Sequence, residues 1–126
     1  MHWFSFGTAV AVAAGIIGIG VMYLLRPRVM THNFGLPLPE DGRNIVWWLR
    51  LKGSRDIVSG LVVLATMAWG GSRPLGVILL MEALIPIGDM SLILAAKGST
   101  KTAFGVHGLT AALMILAAVP LLMGVA

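Results

Sequence analysis

Apolar residues along this chain gather into four long runs separated by short polar breaks. The first, Trp3 to Leu25, carries no charge; the second runs from Ile45 to Trp69, the third from Pro74 to Ala96 and the fourth from Ala103 to Val125. At about 1.5 Å rise per residue, each is long enough to cross a hydrocarbon core of roughly 30 Å. The pattern predicts an all-α fold, a four-helix transmembrane bundle making one domain over residues 1–126. The breaks carry matching chemistry. "GGSRP" separates the second and third runs. In "KGST", Lys97 and Gly98 suit a helix C-terminus and Ser99 or Thr100 can cap the next helix. The longest break, "RPRVMTHNFGLPLPEDGR", holds three prolines and a turn-like "PEDG", and reads as a connection. Gly7, Ala11 and Gly15 recur every four residues, a small-residue stripe expected to let two helices approach closely.

Composition agrees with a lipid environment. The chain is 58% hydrophobic and 11% charged, with mean hydropathy +0.94; soluble domains sit nearer a quarter charged. The net charge of +4 does not point to nucleic acid, because the basic residues flank apolar runs and form no stripe with interleaved aromatics. There is no cysteine, which excludes disulfides, thiol catalysis and Cys-ligated metals.

Charge placement predicts an orientation. No basic residue precedes the first run, while Arg26 and Arg28 follow it at once, as in an uncleaved anchor. Arg26, Arg28, Arg43, Arg50, Lys52, Arg55, Lys97 and Lys101 all fall on one side, leaving Arg73 alone on the other. The positive-inside rule makes that side cytoplasmic and puts both termini outside.

Within this frame three helices bring ionisable groups to similar depth. Arg55 and Asp56 lie about 10–12 Å past the interfacial Trp47 and Trp48, Asp89 about 10 Å in, and His107 about 6 Å in. Lys52, Arg55, Asp56 and Ser59 are spaced to make one stripe on the second helix, and Glu82, Pro86 and Asp89 share a face of the third. A charge at mid-bilayer costs about 2.5–3.5 kcal/mol, so these groups are expected to face inward and pair. Arg55 is expected to contact Asp89. Lys52 reads as a snorkelling interfacial residue. Glu82, deeper and without an obvious cationic partner, is expected to be protonated, or hydrogen-bonded across helices, or to line a wet cavity. Each residue also has a plain structural reading: Arg55 with Asp56 or Asp89 as a register-fixing ion pair, and His107 as a packing histidine.

Two motifs fail on inspection. "GIIGIG" at 15–20 lies mid-helix and follows no strand, so it is no dinucleotide loop. His107, Asp56, Asp89 and Glu82 lack metal-ligand spacing, so neither a metal nor another cofactor is expected.

"KGSRDIVSG", then "LIPIGDMSLILAAKG" and a histidine early in the last helix, resembles an uncharacterised group of small four-helix membrane proteins, DoxX-like in architecture. The resemblance covers roughly Phe34 to Thr110. It places the family's polar positions on Gly53, Arg55, Asp56, Gly60, Pro86, Asp89 and His107.

Three functions compete at this point. In the first, an intramembrane pocket binds a lipophilic small molecule, with Asp89 or Asp56 as base, His107 as acid or shuttle, and Arg55, Glu82 and Ser59 holding the ligand. Isomerisation, cyclisation or epoxide opening would suit such groups. In the second, a proton-coupled exporter, expected to be a homo-oligomer, uses Glu82 and Asp89 alternately for proton and substrate. In the third, an accessory membrane subunit uses its charges only to hold the bundle.

Overall fold

A computed structural model describes residues 2–125. It is helical, with no strand among the described residues, but it has five helices where the pattern predicts four. These are α1 (His2–Leu25), α2 (Pro27–Phe34), α3 (Ile45–Trp69), α4 (Ser72–Ala95) and α5 (Thr100–Met123). The additional helix is α2, inside the stretch read as a plain connection. Pro27 occupies its first turn, where a missing N–H costs nothing, and Gly35 ends it in the left-handed region at φ 104°. Arg28 pairs with Asp41 at 2.6 Å and reaches the Gly42 carbonyl, folding the following loop back along α2.

Of the four expected spans, three are supported by length and composition. Among the described residues α1, α4 and α5 are long and apolar enough to cross a membrane. Helix α3 is long enough but carries Arg50, Lys52, Arg55 and Asp56 in its first half.

The helices form two close pairs, α1 with α3 and α4 with α5, joined by lighter contacts of α1 with α5 and α3 with α4. Glycine sets the first pair's spacing. A Cβ on Gly53 would lie 2.6 Å from the Gly20 carbonyl oxygen, and one on Gly60 would lie 2.5 Å from Ile17 and 2.8 Å from the Ala13 carbonyl oxygen. The motif glycines of "KGSRDIVSG" therefore let α3 lie on α1. The stripe expected to do this, Gly7, Ala11 and Gly15, does not: Cβ atoms on Gly7 and Gly15 would meet open space, and Ala11 is exposed.

The core fills the end of the bundle where α1 begins and α5 finishes, with Ala9, Ala13, Leu75, Leu79, Ala117 and Leu121 fully buried. At the opposite end the loops are tied together. The Ser99 N–H donates to the Gly35 carbonyl at 2.8 Å, and the Ser99 hydroxyl caps α5 by accepting from Thr102 N–H. Lys97 (φ 56°) and Gly98 close α4, as their chemistry predicts, with Gly98 N–H returning to the Ile93 carbonyl.

Candidate functional site

Between the two helix pairs, on the α2 side of the core, lies a cavity of about 550 Å³. All five helices contribute to its lining, and each does so for a local reason. On α3, Lys52, Asp56, Ser59 and Val63 follow spacings of four, three and four residues, one helical face beside the glycines that seat the helix on α1. On α4, Glu82, Pro86 and Asp89 share a face, and Pro86 has no N–H to give to the Glu82 carbonyl one turn back. Tyr23 comes from the end of α1, and Met30, Asn33 and Phe34 from α2.

On α5, His107 sits within a π-helical stretch, Ala103–Gly108. Such wide turns cluster at functional sites because they redirect one side chain without ending the helix. Thr110, one turn on, donates to the Val106 carbonyl at 2.7 Å.

Two charged contacts organise the α2 end. The Lys52 ammonium pairs with Asp56 at 2.7 Å and lies over the rings of Tyr23 at 4.3 Å and Phe34 at 5.1 Å. The His107 Nδ1 faces Asp89 at 3.6 Å, while Nε2 lies 3.2 Å from the Phe34 carbonyl oxygen. A carbonyl only accepts, so Nε2 must carry a hydrogen. Nδ1 and the Asp89 carboxylate then attract only if one further proton sits on either of them. Phe34 also packs its ring against His107, centroids 4.8 Å apart, so α2 positions the imidazole from two directions.

Deeper along the same wall, the Ser59 hydroxyl donates to the Glu82 carboxylate. The spacing of seven residues from Asp89 puts Glu82 about 10 Å further from α2. This cross-helix bond fulfils one expectation for Glu82.

Arg55 departs from expectation. It is exposed, lines no part of this cavity and pairs with no carboxylate among the described residues. Lys52, read as a snorkelling residue, takes the inward position instead. The charges are also less enclosed than expected: Asp56 retains 12% of its side-chain surface, Asp89 28% and Lys52 33%. Among the candidates, Asp56, Ser59, Glu82, Asp89 and His107 come together around one cavity; Arg55 does not.

Sequence reasoning missed Lys52, Tyr23, Phe34 and Asn33. A signal existed for the first, since Lys52 and Asp56 have the i,i+4 spacing of a helical ion pair. For Phe34 the signal was Pro27 followed by Gly35, a helix start and stop. No group of three or more His, Asp or Glu side chains among the described residues is close enough to hold a metal.

No curated protein and no solved structure matches the chain. One family model does, over residues 13–122, a span that includes every cavity residue named above. The chain belongs to the family described as a domain of unknown function (DUF4267).

Proposed function

We propose that this is a membrane protein whose intramembrane cavity binds a lipophilic small molecule beside a proton-exchanging pair, Asp89 and His107. In this reading α3 also crosses the bilayer, as in the DoxX-like proteins its motifs resemble, with its charges turned to the cavity or held at the cytoplasmic interface. Both termini then lie outside the cytoplasm, as the distribution of Lys and Arg favours.

The observation that carries the proposal is the cavity. Its volume, about 550 Å³, falls within the roughly 300–1,000 Å³ typical of small-molecule sites. Its walls are largely apolar, from Val12, Ile16, Ile85 and Leu113, while its polar groups gather at the α2 end and around Glu82. An apolar body with one polar end is the shape of ligand that such walls select. Asp89 and His107 can give or take a proton at that polar end, and Asp56 stays engaged with Lys52.

The test is binding of a neutral, environment-sensitive naphthalene dye to the protein in lipid nanodiscs, with empty discs subtracted. Gly15→Trp is the blocking variant, since Gly15 lines the cavity and a Cβ there meets nothing within 4 Å. Saturable binding lost in folded Gly15→Trp supports the proposal; equal binding in the two proteins removes it.

A second reading, a proton-coupled exporter, draws on Glu82 and Asp89 sharing one face of α4 within the cavity. It predicts ligand-driven proton flux in proteoliposomes, which simple binding does not.

A further inference from the structure

The cavity's charges do not balance, and the imbalance names a ligand class. Three carboxyl groups, on Asp56, Glu82 and Asp89, line it against one lysine and one histidine. Lys52 neutralises Asp56 at 2.7 Å. Asp89 faces the His107 Nδ1 at 3.6 Å, a cation within reach whenever the imidazole is protonated. Tyr23 and Thr110 are uncharged alcohols and α2 contributes no charged group, only Met30, Asn33 and Phe34. Glu82 is left with a hydroxyl partner, Ser59, and no cation among the described residues.

An ionised carboxylate between apolar walls is costly without a counter-charge. Ser59 can satisfy one lone pair, not the charge. The same cavity already shows how it treats a cation. The Lys52 ammonium rests on the faces of Tyr23 and Phe34, whose π electrons attract positive charge. Met114 and Val63 near the deep end are buried and apolar, suited to the uncharged part of a guest.

We infer that the ligand is a lipophilic organic cation, an ammonium or phosphonium type with an apolar body, whose charge is met by Glu82. This rests on the reading of the cavity as a ligand site. A lipophilic anion of the same shape would set its charge against Glu82 and be disfavoured by repulsion.

Tetraphenylphosphonium and tetraphenylborate test this directly, since they share one shape and carry opposite charge. Binding of each to nanodisc-held protein is measured against empty discs, alongside the neutral dye. The phosphonium should bind at least about tenfold tighter than the borate, a modest ratio for one ion contact in a poorly hydrated site. Glu82→Gln should abolish that preference. Ser59→Lys should also abolish it, by placing a tethered cation beside Glu82, while Arg55→Gln, outside the cavity, should leave it intact. Equal or tighter borate binding with the dye still bound overturns the cation inference and leaves the ligand site standing. Failure of the dye and both ions to bind removes the ligand site and the inference together. Full preference in folded Glu82→Gln or Ser59→Lys overturns the role of Glu82. Should neither variant fold, the comparison of phosphonium with borate on the unmodified protein decides.

Discussion

Where α1 begins and α5 finishes, Ala9, Ala13, Leu75, Leu79, Ala117 and Leu121 are fully buried against one another; toward α2 the same long helices stand around a cavity of about 550 Å³. The difference lies in what each helix presents inward. At the packed end alanines alternate with leucines, so that small residues admit large ones. At the hollow end the inward positions are Lys52, Asp56, Glu82, Asp89 and His107, which meet through hydrogen bonds and ion pairs and leave space between their stems. Tight packing and an open site are thus two uses of one helix set, and each can be attacked separately.

The largest effect is expected from Gly60→Val. A Cβ there would already lie 2.5 Å from Ile17 and 2.8 Å from the Ala13 carbonyl oxygen, so two further methyl groups must force α1 and α3 apart. No monodisperse protein should be recovered by size exclusion in detergent. A sharper comparison sets Leu79→Ala in the packed end against Leu113→Ala on the cavity wall. The first should cost about 2–5 kcal/mol and the second less than about 1 kcal/mol, since a cavity-lining residue has fewer atoms to lose contact with. Thermal unfolding in nanodiscs reads both; equal costs would mean that the two ends do not differ in packing.

Asp56→Asn comes next. It leaves the Lys52 ammonium without its carboxylate, at about 1–3 kcal/mol given the partial exposure of both groups. Lys52→Met combined with Asp56→Leu should be milder than the two single losses summed, because neither group is then left alone. Arg55→Gln should fall within about 0.5 kcal/mol of the unmodified protein, as an exposed residue without an ion-pair partner. A larger loss would bring Arg55 back into the site.

Much of this arrangement is legible in the chain before folding. The long helices follow from apolar run length, and the stop at Lys97–Gly98 and cap at Ser99 follow from local backbone chemistry. The shared face of Glu82, Pro86 and Asp89 follows from seven-residue spacing. Arg55 was misplaced because a helical stripe defines a band, not an edge. Arg55 and Asp56 point about 100° apart, and which one turns inward depends on where Gly53 and Gly60 seat the helix. That information resides in α1, at Gly20 and Ala13, not in the motif. Helix α2 escaped notice for another reason: eight residues with His, Asn, Thr and Arg give no long apolar period. The number of spans suffers from the same charges, since those that serve the cavity make α3 less apolar than its neighbours.

The wide turn at Ala103–Gly108 also acts as a change of phase along α5. From Ala103 to Ala111 is eight steps, about 800° of regular helix, which would leave the two residues about 80° apart around the axis. One additional residue in the turn removes about 100° of that, and both are buried, at 0% and 4% exposure. The start of α5, fastened through Ser99 to Gly35, and its far half, fastened to the core, can therefore each face their own partners. His107 sits where the two phases meet. Removing Gly105, whose missing side chain would touch nothing, leaves seven steps of uniform helix, again about 700°, so both halves keep the faces they present now. A deletion of one residue would then leave the core and the Ser99–Gly35 tie in place and change only the local aim of His107 at Asp89.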